Sequence, residues 1–400
     1  MRILHIGFDT HFVDYLVGRF ERVAPGASEL ITVSGIEPVV RAGGFAGPRH
    51  WVRPMAEDVA EVLERASEAD LVVVHAMSEL AALVCAQLPP GPQVMWSGFG
   101  YDYYVGASGA DLVGERTLKL VRRISGGRQP DRYGKLVLDA EVSRLEPVAV
   151  DFVRQRAAER TDYFSAPVEA DLAVFRRAFP GFTGTYQQLN YGDLSTLTRT
   201  GDAVVAGDDI LVGNSASFAN NHVEAFQVLA KADLGDRRVI VPLTYGDEAY
   251  RDGVLASGER RLGDRFHPIV EHLPIDEYLT LLGSCGISLF NHRRQQGVGN
   301  IVAALQQGSH LCLDRRNPLF GWLRDQGVTV CPVRGLLDEV PAGPVPDDVL
   351  ARHRQVLADV WGVERVEANV RDLLDQVEAR LSASGRRARL RRCFRARPAR

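Results

Sequence analysis

Short aliphatic or β-branched runs separated by helix-length amphipathic stretches recur along most of this 400-residue chain. That alternation is the pattern of parallel strands joined by covering helices, because a parallel crossover needs a dozen or more residues and usually forms a helix. In the first half, strands are expected at 2–7, 29–33, 71–75, 94–97 and 163–166, with helices at 12–23, 56–66 and 79–87; residues 106–145 are mixed. In the second half, strands are expected at 210–212, 238–242, 269–272, 287–290, 311–313 and 329–331. Helices are expected there at 221–232, 276–284, 299–308 and 319–326. The Pro180-Gly181-Phe182-Thr183-Gly184 run and the polar segment 191–209 divide the two series. With 46% hydrophobic residues the chain can build two cores, so the expected class is α/β with domains at 1–195 and 205–380. Two such sheets suggest a central cleft, with ligands at the carboxyl ends of the strands.

Charge is distributed unevenly. The chain has 47 basic and 51 acidic residues, but eight arginines fall within 386–400, leaving a body with a formal charge of −12 and a basic tail. Cations confined to one terminus argue against a nucleic-acid binder, which needs a basic docking face. The five cysteines include no C-x-x-C pair, indicating neither a disulfide framework nor a zinc site and fitting a reducing, cytoplasmic compartment. The apolar run at the N-terminus meets Asp9 too early for a signal peptide, and no stretch approaches a membrane span. Any membrane contact is expected to be peripheral.

Glycine and polar residues cluster where strands are expected to end. Gly213-Asn214-Ser215 follows one strand and precedes Asn220, Asn221, His222 and a helix. Such a corner admits an anion to backbone N–H groups at a helix N-terminus, while serving equally as a turn whose asparagines cap the helix. Tyr245 and Tyr250 follow the next strand and suit either a platform for a nucleobase or sugar ring, or the core. The richest block is Asn291-His292-Arg293-Arg294-Gln295-Gln296-Gly297-Val298-Gly299-Asn300, where Arg294 and the glycines before a helix have the character of a diphosphate cradle. Arg315, Arg316 and Asn317 occupy the corresponding position after the following strand.

In the first half, Asp9 and His11 follow the first strand, and His75 ends another, where it suits packing better than catalysis. Asp102 lies among aromatics in Trp96-Ser97-Gly98-Phe99-Gly100-Tyr101-Asp102-Tyr103-Tyr104, a composition suited to a glycan acceptor or to a packed turn. There is no D-x-D and no histidine cluster with metal-ligand spacing, so no metal or other cofactor is expected. The absence of G-x-S-x-G weakens a hydrolase reading.

These motifs, in this order and spacing, resemble glycosyltransferase family 56, the Fuc4NAc transferases of enterobacterial common antigen assembly. The likeness is strongest from 210 to about 330. It rests on Leu211-Val212-Gly213-Asn214-Ser215, Asn220-x-His222, Val241-Pro242-Leu243 with Tyr245-Gly246 and Tyr250, Tyr278-Leu279-x-Leu281-Leu282, Arg294-Gln295-Gln296-Gly297-Val298-Gly299, and Asn317-Pro318. Trp96-x-x-Phe99-Gly100-x-Asp102-x-Tyr104 is similar to the family's W-x-x-W-G-x-D-x-Y, with Phe99 replacing a tryptophan. The resemblance implies the GT-B fold, two Rossmann-like α/β domains facing a central cleft. It also implies a dTDP-activated 4-acetamido-4,6-dideoxyhexose donor and a polyprenyl-diphosphate-linked saccharide acceptor at the cytoplasmic face of the inner membrane.

On that footing the donor contacts are expected from Gly213, Asn214, Ser215, Asn220, His222, Tyr245, Tyr250, Arg294, Gln295, Gln296, Gly297, Gly299, Asn300 and Asn317. Asp9, His11 or Asp102 is the expected general base if the reaction inverts configuration. A GT-B-like sugar-nucleotide epimerase or hydrolase, or a non-catalytic nucleotide-sugar or glycan-binding assembly factor, are the competing readings.

Overall fold

A computed structural model describes residues 1–37, 44–55, 57–104, 112–125, 147–198 and 204–383. The basic tail expected at 386–400 lies outside the described residues. The chain forms two compact α/β units.

The first unit holds a seven-stranded sheet, ordered β3-β2-β1-β4-β5-β6-β7. Its strands are β1 (Ile3–Gly7), β2 (Ser28–Val33), β3 (Arg49–Val52), β4 (Leu71–His75), β5 (Gln93–Ser97), β6 (Tyr163–Ser165) and β7 (Thr185–Tyr186). The second unit has a six-stranded sheet, ordered β10-β9-β8-β11-β12-β13. These strands are β8 (Ile210–Val212), β9 (Val239–Pro242), β10 (Phe266–Ile269), β11 (Ile287–Phe290), β12 (His310–Leu313) and β13 (Val330–Pro332). The pairings are parallel in both sheets.

Both orders begin at the centre, run to one edge, and restart on the other side of the first strand. The reversal falls between β1 and β4 in one sheet and between β8 and β11 in the other. Helices leave to opposite faces at such a point, opening a crevice at the carboxyl ends of the two strands.

The period of two along the strands divides each sheet into a face per core. In the first unit Ile3, Leu71, Val73 and Met95 join Leu16 and Phe20 of the helix His11–Val23. Val370, Leu373, Leu374, Val377 and Leu381 of the helix Val363–Ala383 complete this cluster. Each such side chain contributes about 1.5–3 kcal/mol on burial, which explains why the last helix belongs to the first unit. The opposite face stacks Trp96, Phe164, Phe175 and Phe179.

The continuous domains expected at 1–195 and 205–380 need correction. Among the described residues, the first unit runs to 102, resumes over 147–191 and takes in 364–383, and the second holds 103–104, 112–125 and those from 192 to 363. One crossing, at Tyr191–Gly192, falls inside the expected linker. The others follow hydrophobic burial: Leu118, Leu120 and Val121 of the helix Glu115–Ile124 are buried in the second unit, where Gly253 makes room for Leu120. The strand expected at 269–272 is instead β10 at Phe266–Ile269. Pro268 lies inside it, tolerated because β10 is an edge strand. Among the described residues no helix is long and apolar enough to cross a membrane.

Candidate functional site

The crevice of the second unit is built where β8 and β11 end. After β8, Gly213 adopts φ +69, a left-handed conformation that glycine takes freely. A Cβ there would lie 2.5 Å from Asn220 Oδ1 and 3.0 Å from His222 Nε2. The turn thus closes against its own polar side chains. Asn220 is fully buried and organises them: its Oδ1 accepts from the Asn214 backbone N–H at 3.0 Å and its Nδ2 donates to the Ser215 carbonyl at 3.0 Å and Oγ at 3.2 Å.

Across the crevice, His292 from the β11 end reaches the same Asn220 Oδ1 at 2.7 Å. Because that oxygen can only accept, His292 Nε2 carries the proton and Nδ1 is a bare acceptor. His292 Nδ1 is buried without a partner, as are Gln295 Oε1, Gln296 Oε1 and His222 Nε2. Burial, and then the positive charge of Arg294, push the His292 imidazole down to about 3, so it is neutral and accepting at physiological pH. Burial alone does the same to His222, whose Nδ1 lies 3.1 Å from the Tyr250 hydroxyl.

The remaining expected donor contacts meet this network in different ways. Asn214 Nδ2 donates to the Tyr245 hydroxyl at 3.0 Å, and Gln296 Nε2 reaches Asn214 Oδ1 at 3.4 Å. The Tyr245 ring is 60% exposed, whereas Tyr250 is fully buried and takes the core alternative while holding His222. Gly297, at φ +65, begins the helix Val298–Gln307 without any side-chain cap, and by helix geometry the first-turn N–H groups have no intrahelical acceptor. Asn317 is buried as the cap of its own helix and donates to the Arg294 carbonyl at 3.1 Å, so it positions the loop. Asn300 accepts from the Tyr278 hydroxyl at 2.9 Å, and Gly299 faces Leu197.

Capping by asparagine, the alternative reading of this corner, is not what forms. Asn221 occupies the N-cap position at φ +52 but makes no side-chain cap bond. Its side chain accepts from Gly114 N and donates to the Leu112 and Asn291 carbonyls, fastening residues 112–114 to the strand ends. Two tyrosines outside the expected set also take part: Tyr278, and Tyr104, whose hydroxyl accepts the Gln295 N–H at 3.0 Å.

The first unit's crevice is made differently. His5 and His75, neighbours across β1 and β4, approach at 3.0 Å between Nδ1 and Nε2. Tyr191 donates its hydroxyl proton to the Ser97 carbonyl at 3.0 Å and accepts from His75 Nδ1 at 3.2 Å, which fixes His75 as neutral with a bare Nε2 for the His5 proton. Burial pushes His75 down to about 3; burial and then the His75 neighbour also lower His5.

Asp9 is half-buried and His11 exposed at the carboxyl end of β1, before and at the start of the helix His11–Val23. Beside them Phe99 contacts Phe8, Phe12, Tyr101 and Tyr191 at centroid distances of 4.2–6.4 Å. Asp102 needs correction as a candidate base. It is fully buried and accepts from Met77 N, Trp96 Nε1 and Phe99 N at 2.7–3.0 Å, so its carboxyl group is committed to holding the turn together.

Comparisons with known proteins give a family match for part of the chain and a shared fold for nearly all of it. Residues 193–342 match the family described as 4-alpha-L-fucosyltransferase glycosyl transferase group 56, a span that contains the whole β8–β11 crevice. HepE of Anabaena, solved with UDP and glucose, superposes at TM-score 0.60 with 12% identity, covering 94% of this chain and 100% of its own. An α,α-trehalose-phosphate synthase (UDP-forming) from Burkholderia vietnamiensis gives 0.59 with 11% identity, over 95% and 100%. Sucrose-phosphate synthase from Thermosynechococcus elongatus gives 0.52 with 13% identity, over 99% and 100%. The chain is a glycosyltransferase of the GT-B fold, and residues 193–342 of its second unit match the group 56 family model.

Proposed function

We propose that the chain transfers a 4-acetamido-4,6-dideoxyhexose from a dTDP-sugar to a polyprenyl-diphosphate-linked saccharide in cell-surface polysaccharide assembly. The observation that carries the donor half is the crevice between β8 and β11, where bare buried acceptors face a glycine-started helix N-terminus. Phosphate oxygens suit the N–H groups of Gly297 and the first helical turn, while sugar or base N–H and O–H groups suit His292 Nδ1 and Gln296 Oε1.

Charge develops on the leaving diphosphate during transfer. Arg294, supported from Asn317 through its carbonyl, and the helix N-terminus stabilise that charge. The first unit binds the acceptor, with the aromatic cluster around Phe99 offering faces to sugar rings and Asp9 or His11 taking the hydroxyl proton in an inverting reaction. Residues 1–383 would meet a lipid-borne acceptor by peripheral association, aided by the tail arginines at about 1 kcal/mol each near anionic headgroups.

The test is incubation of the full chain with dTDP-4-acetamido-4,6-dideoxygalactose and a polyprenyl-diphosphate saccharide, with the product lipid read by mass spectrometry. A product heavier by one sugar, with dTDP released only when acceptor is present, is expected. Arg294→Ala should remove most of that transfer while the chain stays folded. Turnover of the dTDP-sugar without acceptor would instead favour an epimerase or hydrolase, and binding without turnover an assembly factor.

A further inference from the structure

A second polar cavity of about 570 Å³ lies in the second unit, beyond the crevice just described. It borders the carboxyl ends of β11, β12 and β13 and runs along one stripe of the helix His222–Leu229, from Glu224 through Gln227 and Val228, to Lys231 in the turn that follows it. None of the expected donor contacts lines it, although Asn291 and Arg293 reach it from the same β11 end.

Successive strand ends supply its cations: Arg293 after β11, Arg315 and Arg316 after β12, and Arg334 after β13, with Lys231 facing them from the helix side. Among the described residues that line it, five cations stand against two carboxylates, Glu224 and Asp314, an excess of three positive charges in a chain whose body is acidic. The carboxylates are already engaged. Glu224 accepts from the N–H groups of Arg116 and Thr117 at 2.7 and 3.0 Å, capping the helix Glu115–Ile124. Asp314 takes two hydrogen bonds from Arg316, at 2.9 and 2.6 Å, and lies 4.0 Å from Arg293. Lys231 and Arg334 have no acidic partner among the described residues. Most of these cations are exposed and repel only weakly through solvent, and they leave a positive surface on which an anion is attracted.

The charge indicates which anion. One phosphoryl group carries about −1.5 to −2 at neutral pH, so two linked phosphoryl groups, rather than one, balance an excess of three. Arginines on separate strand ends also suit several oxygens spread over a diphosphate better than a single point charge. We propose that this cavity is a diphosphate-binding site separate from the donor crevice, with Lys231 and Arg334 as its uncommitted cations. The proposal rests on the cavity and not on the transfer reaction.

The test is calorimetric titration of inorganic pyrophosphate into the full chain presaturated with dTDP. A remaining pyrophosphate site is expected, at least tenfold weaker in Lys231→Ala/Arg334→Ala and unchanged in Arg294→Ala. Orthophosphate should bind at least tenfold less tightly than pyrophosphate. Both replaced side chains are exposed, and an unchanged thermal melting profile is the check that the double variant is folded.

Flotation with phosphatidylcholine vesicles, with and without a polyprenyl diphosphate, separates the two sources of such a group. Recruitment lost in the double variant assigns a lipid-borne diphosphate, and pyrophosphate binding without recruitment assigns a free one; each supports the site. No pyrophosphate binding beside dTDP, stoichiometric displacement by dTDP, or affinity indifferent to Lys231 and Arg334 would overturn it. Failure of dTDP to bind at all would count against the donor reading alone, since the contrast between the double variant and Arg294→Ala remains readable.

Discussion

The two crevices share a topology and differ in where their polar groups point. Each begins with a glycine at the end of the first strand, Gly7 or Gly213, and each places a non-glycine residue at positive φ nearby, Ala76 or Asn221. In the first unit the polar groups run inward: His5 donates to His75, His75 to Tyr191, and Tyr191 to a carbonyl, with His5 packed on Phe20 at 4.9 Å. Both units leave buried polar atoms unmatched, His5 Nε2 and Ser97 Oγ in the first and His292 Nδ1, Gln295 Oε1 and Gln296 Oε1 in the second, but only in the second do they cluster beside a glycine-started helix N-terminus. An unmatched buried acceptor costs about 1–3 kcal/mol, a penalty that ligand binding removes. The same open sheet thus carries a polar network at the strand ends of one unit and a cluster of ring faces at those of the other.

The largest expected effect is acid unfolding, because both units keep neutral imidazoles inside. His75, His222 and His292 are each held at about 3 in the folded chain, against an ordinary value of about 6.5. The unfolded chain binds more protons below that value, so the contribution is complete above about pH 6.5 and is lost progressively as pH falls toward 3. Each histidine should steepen the loss by about 1.4 kcal/mol per pH unit. Urea unfolding from pH 7 to 4 should show it, with His75→Phe or His292→Phe shallower by one proton than the unmodified chain. A stability flat across that range would remove the neutral-histidine description of both crevices.

Matched glycine substitutions break the comparison next. In Gly213→Ala the new methyl combines an unfavourable positive φ with a 2.5 Å approach to Asn220 Oδ1. A loss of about 1–3 kcal/mol in stability and about a hundredfold in kcat/KM, mainly through the donor, is expected. Gly7→Ala meets Val13 and His75 at 3.1–3.3 Å without left-handed backbone strain. Its effect should stay within about fivefold. Equal losses from the two variants would mean that the crevices do equivalent work.

Legibility in the sequence follows the range of the interactions. The strands β4, β8 and β11 are readable to the residue, because a buried parallel strand is a continuous aliphatic run with a turn at its end. The edge strands β3 and β7 carry no such run and escape notice. The helix Glu248–Leu262 is hidden by Gly253 and Gly258, which are there because Leu120 and Phe266 press against it. In the site, glycine corners advertise themselves locally. The bond from His292 to Asn220 joins residues 72 positions apart, and nothing in either segment announces the other. Asp102 misleads for the same reason: its three donors surround it only once the turn has formed.

The smallest expected effects separate the ring from the hydroxyl at Tyr245, and one unit from the other. The hydroxyl accepts from Asn214 while the ring lies largely open, so the two parts of the side chain have different tasks. Tyr245→Phe keeps the ring and loses one hydrogen bond, for about a threefold to fivefold rise in donor KM. Tyr245→Ala also removes a face for the base or sugar and should raise donor KM by about tenfold or more. Phe12→Ala, on the first unit's aromatic surface, should raise acceptor KM while leaving donor KM within about twofold. Initial rates with each substrate varied in turn measure all three variants. A donor effect from Phe12→Ala, or an acceptor effect from Tyr245→Phe, would show that reading and presenting are not divided between the two crevices.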